Sequence, residues 1–499
     1  GAIRESFFDS DNLYLPTLFE DLIQWSGHVS DWRLTPAPYF LPDMPLYFMA
    51  RLLAGSVEPA QYLSGLAHLL LFTWAARWFV RTLIPGTVDE ANIVGFFIVT
   101  LALAHFSGSV AQFGSLYHLT QHGGAALMTL VILTLCLGPP SRHRLVTAGT
   151  LSLLTGVADP LFAASCGAPL LVLGCCASVP AAWKRVCSST NSGRVTVRNR
   201  TVVSGVLTFA GAQLTDVVHA HMNSLPVSRS AGPSFASLRA ALGDLAGSAC
   251  STGMWLLAGV LLSCTLLLLH RGAYARGLRI LALWQLSSVI STLAAIGWAG
   301  NYLDSGSLRY LVVPCVMTGM LACAVVAHTL AIHAHRSEIA RSVSFVSCVV
   351  IVALAATIVT QLPSIAFGQY RSSWRGTSSC VSAVLRRENA DVVLADYWQA
   401  KPLMLFSGGH VRALQMRAKL RRPYFWINSR GWYRGPHRFG VVAVRDLNPD
   451  AIVQAFGEPA RVDACPGLDL FVYQNGTRDK LARKMQRMFD RFVVDPHPL

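Results

Sequence analysis

Charge is what this chain has least of. Asp, Glu, Lys and Arg together make up 13% of its 499 residues, against about 25% in an average soluble domain. That shortage excludes an ordinary water-exposed globule. Acids are scarcer than bases: 26 Asp and Glu stand against 41 Lys and Arg, a formal net charge of +15. The 12 cysteines contain no CxxC and no Cys/His quartet at zinc spacing, so neither a dithiol redox motif nor a zinc module is written here. No internal repeat and no long low-complexity tract stands out. The chain opens on Gly1 without an initiator Met or a signal-peptide pattern. It reads as trimmed, with one further span expected ahead of Gly1.

What fills the chain is apolar. Hydrophobic residues are 53% of it, and the mean hydropathy is +0.44. They gather in ten segments of membrane-spanning length, at 58–84, 91–110, 117–138, 145–163, 164–182, 201–222, 251–270, 278–299, 308–331 and 341–362. Each approaches the ~20 apolar residues that cross a hydrocarbon core. Asp159-Pro160 is read as an outer turn between two short helices; one long kinked helix would invert everything downstream. Charge favours the turn. Alternate loops carry Arg142 and Arg144, then Lys184, Arg185, Arg194, Arg198 and Arg200, then Arg271 and Arg276, then Arg336, while loops 111–116 and 300–307 carry no Lys or Arg. This is a positive-inside pattern. It puts residues 1–57, the 223–250 loop and everything after 362 outside the cytoplasm. In the 223–250 loop, Phe235, Leu238, Leu242 and Leu245 recur at helical spacing and read as an amphipathic helix on the outer interface.

The expected organisation is therefore an outer loop with juxtamembrane helices at 1–57, a polytopic α-helical domain at 58–362 and an extracytoplasmic α/β domain at 363–499. The last rests on short β-rich runs at 392–395, 411–414, 425–427, 441–444 and 470–473, with a helical pattern from Pro449 to Phe456. Cys380 and Cys465 are the only thiols in this domain. In an oxidising compartment they are expected to form a disulfide; two reduced buried thiols are the alternative.

Polar groups suited to chemistry collect on the outer face. Asp9 and Asp11 are two apart, so on an extended segment their carboxylates point the same way. One can act as a base while the other holds it or a metal; a solvated loop or a helix cap is the plainer account. His118, Gln121 and His122 are placed on one helical side, where His at i and i+4 can chelate a metal, although no third ligand is evident. Asp159, Asp216 with His219, and Asp304 fall at outer helix ends. Arg309 and Tyr310 open the span at 308–331, a depth at which a cation suits a lipid phosphate; an Asp304–Arg309 ion pair is the alternative. Arg417, Lys419, Arg421 and Arg422 run into Tyr424-Phe425-Trp426 and Trp432-Tyr433-Arg434. Outside a membrane this run suits anionic lipid or a sugar chain, and a solvated loop with core aromatics accounts for it equally.

The string DSDNLYLPTLFEDL at 9–22, followed by WRLTPAPYFLPD at 32–43 with Asp43 at its end, resembles the first outer loop of GT-C-type membrane glycosyltransferases. Bacterial relatives of the protein O-mannosyltransferases and of the lipid A aminoarabinose transferases are the most similar among these. GVADPLF at 156–162, RYLVVP at 309–314 and ADYWQAK at 395–401, with Trp398 and Lys401, fit the same picture. The resemblance implies inverting transfer from a polyprenyl-phosphate-linked sugar to a glycan, lipid or protein acceptor, among membrane lipids and without nucleic acid. Asp11 matches the first-loop general base, since Asn12-Leu13-Tyr14-Leu15 follows it as the pattern runs. Asn12 stands where many members carry Glu, which leaves Asp9 to supply a second carboxylate and leaves a divalent metal open. Arg309 and Tyr310 are expected at the donor phosphate, with Asp43, His118, His122, Asp159, Asp216, His219, Asp304, Trp398 and Lys401 around the substrates. Asp11 and Arg309 are expected to line one outward cavity with a sugar-wide gap between them. A lipid or sugar transporter predicts inverted repeats and mid-membrane charges instead, and a non-catalytic scaffold predicts that Asp11 and Arg309 are dispensable.

Overall fold

The computed structural model describes residues 8, 10–83, 111–180, 191–222, 234–247, 252–269, 276–299, 305–334, 373–417, 420 and 422–494. Asp9, Asp304, Lys419, Arg421 and the spans expected at 91–110 and 341–362 lie outside the described residues.

The first element is α1 (Tyr14–Phe19), extended by a π turn at Glu20–Gln24. α2 (Asp43–Ala54) ends at Gly55, whose φ of 69° suits a residue without Cβ, and the chain turns there into α3 (Val57–Leu83). Among the described residues, four helices are long and apolar enough to cross a membrane: Val57–Leu83, Arg194–His221, Gly277–Gly297 and Ser307–Val325, or five if the bent pair Phe235–Gly247 and Thr252–Leu267 is one span. α4 (Gly123–Leu137) is apolar but shorter. Its expected first turn is missing because residues 117–122 form turns, with Thr120 at φ 71° and His122 at φ 60°.

Asp159-Pro160 reverses the chain. α5 (Arg142–Ala158) runs in the same direction as α7 (Asn191–His221): Gly149 meets Val203 and Leu207, and Gly156 meets Thr208 and Gly211. α6 (Ala168–Ser178) runs the opposite way, with Gly167 at Thr208 and Gly174 at Val202. Small residues let these backbones close, and a Cβ on Gly156 or Gly211 would strike the facing main chain. The segment is two helices, not one kinked one.

Next come α8 (Phe235–Gly247), α9 (Thr252–Leu269), α10 (Arg276–Ala299) and α11 (Val312–Ala334), the last headed by a 3₁₀ turn at Ser305–Leu311. α8 buries Ser237 and Ala241 and rests Leu238 on Gly297 of α10, leaving Phe235 and Leu242 exposed.

The C-terminal part contains α12 (Ser373–Arg387), α13 (Tyr397–Phe406), α14 (Pro449–Phe456) and α15 (Asn475–Val494). Its sheet has the order β3-β2-β5-β7-β6, from β2 (Val392–Ala395), β3 (Arg412–Gln415), β5 (Val441–Val444), β6 (Arg461–Cys465) and β7 (Leu468–Val472). β3, β2 and β5 are parallel; β7 and β6 are antiparallel. α15 buries Leu481, Met485, Phe489 and Phe492 along one stripe. Cys380 of α12 is bonded to Cys465 of β6, with Cα atoms 5.8 Å apart.

The two ends of the chain meet. β1 (Trp32–Arg33) pairs antiparallel with β4 (Asn428–Ser429). One hydrophobic cluster joins Tyr14, Leu18, Phe19 and Trp32 to Val393, Leu414, Val442 and Phe489. Sharing a core, the N-terminal segment and the α/β domain occupy the same side of any membrane.

Candidate functional site

Asp11 lies just ahead of α1, where the Tyr14 N–H donates to its carbonyl at 3.3 Å. Its carboxylate is held from both halves of the molecule. Arg309 Nη1 donates to Oδ2 at 2.9 Å, from the 3₁₀ turn that heads α11. The Tyr397 hydroxyl, at the start of α13, donates to Oδ1. The pair stays in reach of solvent, with 23% of the Asp11 side chain and 47% of the Arg309 side chain exposed. Arg309 thus pairs with Asp11, 298 residues away in sequence. The expected sugar-wide gap between them is absent: the unlike charges are in direct contact.

α13 places this carboxylate. Asp396 caps the helix, accepting from Trp398 N at 2.6 Å and Gln399 N at 3.3 Å. Burial pushes the Asp396 carboxyl up to about 6, against the pull of the Trp398 N–H. The cap fixes Tyr397, whose carbonyl accepts a hydrogen bond from the Ser10 hydroxyl. Lys401, one turn on, donates to the Ser10 carbonyl at 3.0 Å and lies 4.2 Å from the Tyr397 ring centroid. Lys401 is wholly buried, so the expected substrate contact is instead a clamp on the residue before Asp11. Trp398 is half exposed and packs edge-on to Tyr397 at 4.9 Å, which leaves it accessible beside the site. Asn12 is buried, and its Oδ1 lies 3.4 Å from both Thr120 Oγ1 and Gln121 Nε2. Asn12 therefore serves the scaffold.

A second polar group lies beside Arg309. Tyr310 sits under its guanidinium, 5.8 Å from Cζ to the ring centroid. The His122 ring meets Tyr310 at 5.6 Å and Tyr39 at 5.7 Å. His122 Nδ1 lies 2.6 Å from Asp159 Oδ2, and Asp159 Oδ1 accepts from Leu161 N at 3.1 Å. Asp43, at the head of α2, is 1% exposed and touches Gly124, where a Cβ would collide with its carboxylate. Burial pushes the Asp43 carboxyl up to about 7, partly offset by the Thr120 N–H and reinforced by Asp159. Thr120 also reaches the Asp11 carbonyl at 3.2 Å. Its φ of 71° is costly for a β-branched residue, so the contacts on both sides hold it there.

The remaining candidates are placed otherwise. His118 and His122 do not share a helix face, because the helix starts at Gly123. His118 is buried against Tyr117, with ring centroids 4.4 Å apart. Among the described residues no group of three or more His, Cys, Asp or Glu could hold a metal ion. Asp9, which the sequence pairs with Asp11 for a divalent metal, lies outside the described residues. On α7, Asp216 is exposed and His219 buried. The basic–aromatic run is mostly stitching. Trp432 and Tyr433 are buried, Arg434 Nη1 pairs with Asp31 at 2.9 Å, and Trp426 carries Arg33 at 5.7 Å. Sequence reasoning missed Tyr397 and Tyr39, though each stands inside a string it had singled out, ADYWQAK and PAPYFLPD. No protein-family model matches the chain, and no curated protein matches it either.

Proposed function

We propose that the chain is an inverting glycosyltransferase of the GT-C type. It moves a sugar from a polyprenyl-phosphate donor to a glycan, lipid or protein acceptor at the outer face of a bacterial cytoplasmic membrane. The observation that carries this reading is the meeting of Asp11 and Arg309 beside the apolar helices, at 2.9 Å and open to solvent. Asp11 removes the proton of the acceptor hydroxyl as that oxygen bonds to the anomeric carbon. The bond from this carbon to the phosphate oxygen breaks, and the lipid phosphate leaves with the electron pair. Arg309 meets its charge with N–H donors fixed by the head of α11.

Ten spans with both chain ends outside remain the topology this reading requires. The shared core of the two ends supports their common side. The Cys380–Cys465 bond supports an oxidising compartment for that side.

Mass analysis of envelope glycolipids and glycoproteins, with and without the protein, tests the reading. One sugar-modified species should disappear without it. Asp11→Asn should lower turnover ~10²–10⁴-fold, while Arg309→Gln should weaken donor use at low donor concentration as well. An unchanged glycan profile, with both variants functional, would leave a scaffold or transporter instead.

A further inference from the structure

Arg309 is where the glycosyltransferase reading seats the donor phosphate, yet its guanidinium is occupied by the protein's own anion. Asp11 Oδ2 accepts from Nη1 at 2.9 Å, and Oδ1 accepts from Tyr397. A phosphate on Arg309 needs the same N–H groups, and an unmoved Asp11 would set a second negative charge against it. The backbone around Asp11 cannot readily yield. Ser10 is tied to Tyr397 and Lys401, the Asn12 carbonyl accepts from Gln61 Nε2 at 3.0 Å, and the Asp11 carbonyl takes Thr120 Oγ1 at 3.2 Å. Only the carboxylate is free to turn, and Tyr397 can keep hold of it.

Resting on that reading, we propose that the Arg309–Asp11 pair is a latch. The donor's phosphate displaces the Asp11 carboxylate from Arg309, and the base is turned toward the acceptor only when the donor is in place. Binding is then ordered, donor first, and the displacement is a side-chain rotation on a fixed loop.

The test is binding of farnesyl phosphate to the full chain in detergent, with farnesol and inorganic phosphate as separate arms. Asp11→Asn removes the competing anion and should tighten farnesyl phosphate about three-fold or more, the scale of a solvent-exposed ion pair. Arg309→Gln should weaken it, and adding Asp11→Asn to Arg309→Gln should give no further gain. Inorganic phosphate should show the same gain at lower affinity, and farnesol none. If Asp11→Asn binds like the wild type while Arg309→Gln is weak, the latch is wrong and the donor site stands. If Arg309→Gln binds like the wild type, the phosphate site itself is wrong and the latch falls with it. A gain that farnesol shares also overturns the latch. A readout on the unmutated chain guards against misfolding of the variants. Carbodiimide labelling of Asp11, followed by peptide mass, should rise when farnesyl phosphate is added; no change, or protection, overturns the proposal.

Discussion

Trp32 and Trp432 donate their indole N–H groups to the same buried carboxylate, Asp21, each at 2.6 Å, and their rings meet edge-to-face at 5.4 Å. One tryptophan belongs to the N-terminal segment and the other to the α/β domain. Asp21 therefore holds together the two ends that frame Asp11. Burial pushes its carboxyl up from the usual range, and the two indole bonds pull it back. Asp21→Ala strands two indole donors and should cost roughly 2–6 kcal/mol, from about 1–3 for each unpartnered group. Thermal melting in detergent measures this. A loss under half a kcal/mol would mean that water replaces the carboxylate.

The clamp on Ser10 gives a different signature. Lys401→Met keeps most of the side-chain volume but removes the bond to the Ser10 carbonyl and the charge over Tyr397. The Asp11 carboxylate then loses part of its support, and turnover should fall about ten-fold, as expected of a loosened catalytic group. Donor affinity should change little, since Lys401 holds the Ser10 carbonyl and the Tyr397 ring rather than Arg309. A large loss of farnesyl phosphate binding would instead make Lys401 a substrate contact.

The disulfide closes a long loop. Cys380 and Cys465 are 85 residues apart in sequence, and chain-entropy arithmetic gives about 4–5 kcal/mol for such a closure. Replacing both with Ser should lower the melting temperature of the α/β domain, and reductant should lower the wild type to match. Non-reducing peptide mapping should recover the linked pair from the oxidised protein. Recovering both thiols free would remove the bond and its support for an outer location.

Much of this arrangement was legible, for identifiable reasons. Asp11, and Arg309 with Tyr310, stood in strings whose residue types suit a base and a phosphate site, and Asp159-Pro160 had to kink or break a helix, with loop charge favouring the break. Long-range pairing was not legible: nothing local in ADYWQAK says that Tyr397 reaches Asp11 or that Lys401 is buried. The run at 425–427 was read as a strand because it is aromatic and β-branched. Its rings serve packing instead, Phe425 on Phe492 at 5.1 Å and Trp426 on Arg33, and Ile427 has φ 49°. β6 was missed because its half-buried positions are the charged Arg461 and Asp463 while Val462 and Ala464 are exposed, the reverse of the alternation that marks a strand. The helix expected from 117 failed at Thr120 and His122, whose left-handed backbone is held by tertiary contacts that no propensity records.

Asp43 carries a dependence on pH. Its Oδ1 has no hydrogen-bond partner among the described residues, and burial pushes the carboxyl up to about 7, whereas an unfolded Asp titrates near 3.9. Between these values the folded chain keeps a proton that the unfolded chain has lost. This contribution to stability is fully present below about pH 4, declines as pH rises toward 7 and is flat above that. The decline amounts to roughly 3–5 kcal/mol if the group relaxes no further. Asp43→Asn carries no charge, and its amide oxygen can still accept from the Thr120 N–H. The variant should melt close to the wild type at pH 4 and progressively above it up to pH 7. The measurement is the difference in melting temperature at each pH, which cancels every other carboxyl common to both proteins. A difference that stays constant across this range would mean that Asp43 titrates normally, as it could only if water reached it.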